Sequence, residues 1–138
     1  MPRCAALRGD SLEAAAALVL RAAGYRPHRV RKARIKRGGR WVNLGEDLWG
    51  AFDIAGIAHG RPVILVQAGT EAATKRADVD EILGAAIPVA SVLVVTGDKR
   101  QGAARGAMRW WHRYRQGYWE EVSTDEVREG VDRCNGEA

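Results

Sequence analysis

Two short, almost uninterrupted apolar runs, "PVILVQ" (62–67) and "PVASVLVV" (88–95), constrain this chain more than any other feature. Both have strand length, both are rich in β-branched residues, and neither alternates. Each therefore predicts a strand buried on both faces rather than one lying half in water. Between them "EAATKRADVDEILGAA" (71–86) reads as an amphipathic helix ending near Gly84, with Ala73, Ala77, Ile82 and Leu83 inward. A strand, a helix and a second strand in that order make a crossover, so the two strands are expected to run parallel. That unit demands cover on both faces of a sheet, and so an α/β architecture.

The rest of the chain supplies the cover. "GDSLEAAAALVLRAAGY" (9–25) is composed of good helix formers, with Asp10 or Ser11 as caps and Gly24 as a left-handed stop. Leu12, Ala16, Val19 and Ala23 share one stripe of it. "RPHRVRKARIKRGGRWVNLG" (26–45) predicts a hairpin about Gly38-Gly39, or a basic loop with strand-like arms. "AFDIAGIA" (51–58) alternates as a strand does, and His59-Gly60-Arg61 turns it into the first apolar run. "RWWHRYRQGYWEEV" (109–122) is read as a hairpin about Gln116-Gly117, and "STDEVREGVDRC" (123–134) as a short helix with a Ser/Thr cap. The expected order is α–β–β–β–β–α–β–β–α. At 138 residues this is one small domain, 1–138, with a central mixed sheet flanked by helices.

Charge narrows the partner. Lys and Arg number 22 against 17 Asp and Glu, a net charge of +5, which favours a polyanion. The segment 26–45 holds eight Arg and Lys and no acid. Guarding a sheet edge requires less than that, so Arg29, Arg31, Lys32, Arg34, Lys36, Arg37 and Arg40 are read as phosphate contacts. Trp110, Trp111, Tyr114, Tyr118 and Trp119 are interleaved with Arg109, Arg113 and Arg115; the set suits base stacking, but a core edge or an interface suits it better. Cys4 and Cys134 have neither disulfide-framework nor zinc spacing. The apolar run "AAAALVL" (14–20) is too short for a membrane span and has the wrong flanks for a signal peptide, so an intracellular, cytoplasmic protein without membrane contact is expected.

Asp53 is the residue that asks for chemistry. An acid among Ala, Phe and Ile needs a partner when buried, either a bound cation or an arginine such as Arg61. Asp53 and a group at 67 on the neighbouring strand can lie side by side, and cross-strand partners stand ~5 Å apart, which suits two ligands on one ion. Gln67 could equally be a hydrogen-bonding residue at a strand end. Glu13 also fits a capping box with Asp10. No catalytic part falls to His28, His59 or His112.

With "DLWGAFDIAGI" (47–57), "PVILVQAGT" (62–70) and the helix bearing Glu13, the order of elements resembles the restriction-endonuclease-like PD-(D/E)xK superfamily. Within it the chain is most similar to archaeal-type Holliday junction resolvases and related phage and bacterial nuclease-like proteins, over residues 9 to about 96. The resemblance implies Mg²⁺ or Mn²⁺ held by Asp53, by the group at 67, by the carbonyl of Ala68 and by Glu13. It implies hydrolysis of phosphodiester bonds in branched or duplex DNA by a homodimer. It also implies a carboxylate at 67 and a lysine at 69, where this chain has Gln67 and Gly69. Lys75 or Lys36 is the candidate to replace the lysine, and Glu46 or Asp47 the missing charge. The expected function is that of a metal-dependent endonuclease; the alternatives are a non-catalytic nucleic-acid-binding protein of the same fold and a basic subunit of a larger assembly.

Overall fold

The apolar runs take the central places in the sheet. In the computed structural model, which describes residues 6–30, 33–44, 48, 51–84 and 90–131, the second run forms β6 (Ala90–Gly97). It lies parallel to β5 (Val63–Ala68), joined to it through α2 (Ala72–Leu83). Around this unit the six-stranded sheet has the order β1-β4-β5-β6-β7-β8. The strands β1 (Arg26–Arg29) and β4 (Ile54–Ile57) lie to one side, antiparallel to each other, with β4 antiparallel to β5. The hairpin β7 (Met108–Arg113) and β8 (Trp119–Val122) lies to the other. It turns through Gly117, whose φ of 96° is one that only glycine adopts readily. β2 (Ala33–Arg37) and β3 (Arg40–Leu44) pair through Gly38-Gly39 as expected, but as a separate two-stranded sheet. The basic segment thus contributes three strands rather than two arms, one more strand before α2 than the sequence reading gave, while the strand and hairpin read after the helix are present as β6, β7 and β8.

Each face has its own core. On one side α1 (Gly9–Ala22) and α3 (Thr124–Glu129) cover Ile54, Ile64, Val66, Leu93, Val95 and Trp110, with Leu12, Ala16, Val19 and Ala23 inward as the periodicity predicts. On the other side α2 sets Val79 against Leu65, Val92, Val94 and Trp111, beside Ala51 and Phe52. The alternation of β5 between the two clusters is what a strand buried on both faces must show.

Three local expectations are corrected. The N-cap of α1 is Arg8, without a side-chain bond, so neither Asp10 nor Ser11 caps it. Asp10 and Glu13 face Arg29 instead of closing a capping box: Arg29 Nη2 stands 2.9 Å from Asp10 Oδ1, and its Nε 4.0 Å from Glu13 Oε1. In α2, Ala73, Ala77 and Ile82 are exposed, and the stripe turned to the sheet is Ala72, Lys75, Arg76, Val79 and Leu83. Alanine is too small and too tolerant of water to choose a helix face, so the larger Val79 and Leu83 decide the rotation. Ser123 does cap α3, accepting the Glu126 N–H at 3.0 Å.

Candidate active site

Registers align one row of side chains across four strands on the α2 face, beginning at Gln67 beside the end of β4. The β4–β5 ladder ends at Ile54 and Val66; Asp53, the next residue, donates its N–H to the Val66 carbonyl and accepts the Ala68 N–H on its carboxylate, so its bonds fall on either side of Gln67. Gln67 pairs with Val94, Val94 with Trp111, and Trp111 with Glu121. The row is polar at both ends and apolar under the helix. Asp53 and Gln67 are each 3% exposed.

Asp53 is held at three points. Just ahead of it, Leu48 and the fully buried Phe52 exchange backbone hydrogen bonds at 2.9 and 3.0 Å. Its N–H donates to the Val66 carbonyl at 2.9 Å, and its own carbonyl accepts from Val30 at 2.8 Å. Its carboxylate Oδ2 accepts the N–H of Ala68 at 2.8 Å, closing the end of the β4–β5 ladder with a side chain. Arg61, the sequence-level candidate for its partner, donates to the Ala23 carbonyl at 2.7 Å and lies over the Tyr25 ring. Gln67 Oε1 is buried with no hydrogen-bond partner among the described residues. A buried orphan acceptor costs about 1–3 kcal/mol, so something must favour its retention.

The next row begins with Gly69, whose N–H donates to the Val95 carbonyl at 3.1 Å. Lys75, one turn into α2, lays its stem across this glycine: a first side-chain carbon at 69 would stand 2.5 Å from Lys75 Cε. No acid among the described residues pairs with Lys75. Its neighbours differ. Lys99 pairs with Glu71 at 3.3 Å, Arg100 with Asp98 at 2.8 Å, and Arg109 with Glu121. The Arg100 guanidinium, bonded to both oxygens of Asp98, holds that carboxyl below its ordinary value, against the opposing effect of burial.

Of the residues the sequence nominated, the fold brings Asp53, Gln67, Ala68 and Lys75 to one strand end. Glu13 belongs to α1, which packs on the opposite face, and it shares Arg29 with Asp10. Lys36, Arg37 and Arg40 are exposed on the β2–β3 hairpin. Arg31, Lys32, Glu46 and Asp47, the side chain of Arg34, and both cysteines lie outside the described residues. Of the aromatic group, Trp110 and Trp111 are buried in the core; Tyr114 and Trp119 are half-buried, with Trp119 Nε1 donating to Asp80, and Tyr118 is exposed and stacks on Tyr114. Sequence reasoning missed Arg76, whose guanidinium carbon lies 5.4 Å from the centre of the Trp111 ring. The signal was a second cation beside Lys75 on the inward stripe, hidden by the wrong choice of helix face.

The Asp53 carboxylate and the buried Gln67 amide oxygen are hard oxygen donors of the kind Mg²⁺ or Mn²⁺ takes, with less charge than two acids would bring. Among the described residues no three His, Cys, Asp or Glu side chains converge as a metal cluster. Nor, among them, is any helix long and apolar enough to cross a membrane. Compared with protein-family models, curated proteins and solved structures, the chain matches none of them significantly.

Proposed function

We propose that this is a nuclease-like, DNA-binding protein of the restriction-endonuclease-like fold whose Asp53–Gln67–Lys75 site hydrolyses phosphodiester bonds in branched or duplex DNA, as Holliday junction resolvases do. One observation carries the reading: the ammonium-bearing chain of Lys75 crosses Gly69, at the strand end where the Asp53 carboxylate accepts the Ala68 N–H and Gln67 is buried. A bound Mg²⁺ or Mn²⁺ would supply Lewis acidity and a water of lowered pKa. Asp53, Gln67 Oε1 and the Ala68 carbonyl are the groups to hold it. Lys75 then brings positive charge to the phosphate or orients the water. The exposed Lys36, Arg37 and Arg40 of the hairpin extend the phosphate contact away from the site. A homodimer would present two such sites to two strands.

A second reading keeps the DNA binding and drops the reaction. It is favoured by Asp53 being the single carboxylate of the proposed site and by the lack of a three-ligand cluster among the described residues. Incubating labelled four-way junction and duplex with the protein in Mg²⁺ and in Mn²⁺ separates the two. Cleavage supports the first reading; salt-sensitive binding without cleavage supports the second.

A further inference from the structure

Lys75 and Arg76 sit on the stripe of α2 that packs against the sheet, where a cation is costly unless something answers its charge. Elsewhere on this side of the molecule the answer is an acid: Arg113 Nε donates to Asp80 at 2.8 Å, and Arg109 is held by both oxygens of Glu121. Arg76 has no such partner among the described residues. Its Nε donates to the Ala72 carbonyl of its own helix at 3.3 Å, and its guanidinium carbon lies 5.4 Å from the centre of the Trp111 ring. The guanidinium carbon of Arg109 lies 4.9 Å from that same ring. Two cations therefore share one indole, and only one of them has a carboxylate.

The Trp111 ring and the single Nε bond position the Arg76 guanidinium, while its two terminal nitrogens make no hydrogen bond among the described residues and keep their donors. That fork matches two oxygens of one phosphate better than any neutral ligand. Trp111 lies in the same row as Gln67, two strands along it, a distance of ~10 Å. A phosphate gripped there is not the one over Asp53 and Gln67 but a neighbour on the same nucleic-acid strand.

We propose that Arg76, supported by Trp111, binds a backbone phosphate adjacent to the scissile one and sets the register of the strand across the site. The proposal rests on the phosphodiester reading of that site. It makes Arg76 a positioning residue, expressed in affinity and KM rather than in kcat.

The test replaces Arg76 by Met, which keeps a stem over Trp111 and removes the donors, and by Lys, which keeps the charge without the fork. Arg128→Met, at an exposed ion pair on α3, is the control. Affinity for a labelled four-way junction is measured against salt concentration, with melting curves to confirm folding. Arg76→Met is expected to lower affinity about tenfold and to reduce the log–log salt slope by ~0.9, the signature of one lost phosphate contact. Arg76→Lys should keep the slope and recover part of the affinity, and Arg128→Met should change neither. If the wild-type protein cleaves, Arg76→Met should raise KM and leave kcat nearly unchanged. An Arg76→Met protein with wild-type affinity and slope overturns the proposal. If the wild-type protein binds no DNA, the phosphodiester reading fails on its own, and inorganic pyrophosphate titrated against the arginine Nε resonances decides the site. A shift confined to Arg76 sustains an anion site there, and no shift ends it.

Discussion

The side chain of Lys75 runs across the α-carbon of Gly69, so close that a first side-chain carbon at 69 would meet its Cγ at 2.7 Å and its Cδ at 2.9 Å. The glycine is the space the lysine occupies. Its backbone is not left-handed, so alanine is tolerated there as a conformation and excluded only by Lys75. Gly69→Ala should therefore displace Lys75 and reproduce the effect of Lys75→Ala, a fall in cleavage of about 10²–10⁴-fold if the lysine handles a proton. Adding Gly69→Ala to Lys75→Ala should then cost nothing further, which a double-mutant comparison of cleavage rates reads directly.

Asp53 has a structural duty that can be separated from its charge. Asp53→Asn keeps an oxygen for the Ala68 N–H, whereas Asp53→Ala leaves that donor unanswered at a buried strand end. Denaturant unfolding should show Asp53→Ala less stable than Asp53→Asn by about 1–3 kcal/mol. Equal stability would mean that the β4–β5 end does not depend on this bond.

Gln67 should behave in the opposite sense. Its Oε1 is buried without a partner, so Gln67→Leu removes an unsatisfied acceptor while conserving much of the volume. We expect the variant to be as stable as the natural protein, or more stable by about 1 kcal/mol. We also expect it to lose Mg²⁺ affinity measured by calorimetry. Gln67→Glu, with a second negative charge added to that of Asp53, should bind Mg²⁺ more tightly than the natural protein. A residue kept only for the fold would give the reverse, a loss of stability with metal affinity unchanged.

The Asp98–Arg100 pair carries a pH signature. A carboxyl held below its ordinary value binds its proton less readily folded than unfolded, so its contribution to stability is present above the unfolded value and disappears as the pH falls through the folded one. Asp98→Asn should accordingly destabilise the protein at neutral pH. The gap between the two should close as the pH drops below about 4, in thermal melts run side by side. A gap that persisted unchanged in acid would mean that the Arg100 N–H and packing, not the charge, account for the effect.

The frame of the fold was legible because its elements advertise their period. The unbroken runs at β5 and β6 announced a parallel pair covered on both faces, joined through a helix, and the sheet has them so. What was not legible depended on rotation. Ala73 and Ala77 looked like the inward face of α2 because alanine counts as apolar, yet Val79 turned the helix so that Lys75 and Arg76 faced the sheet. With that rotation unknown, the crossing of Gly69 and the stacking of Arg76 on Trp111 could not be anticipated. Likewise, nothing in the spacing of 26–45 told that Arg26–Arg29 joins the main sheet while the hairpin after it stands apart.

Cleavage of a labelled four-way junction, followed in Mg²⁺ and Mn²⁺ for the natural protein beside Asp53→Asn and Lys75→Ala, tests the central claim most directly. The account predicts metal-dependent strand scission by the natural protein. It predicts near-complete loss in Asp53→Asn and a steep loss in Lys75→Ala, with junction binding by Asp53→Asn retained. Undiminished scission in Asp53→Asn, or no scission by the natural protein in either metal, would contradict it.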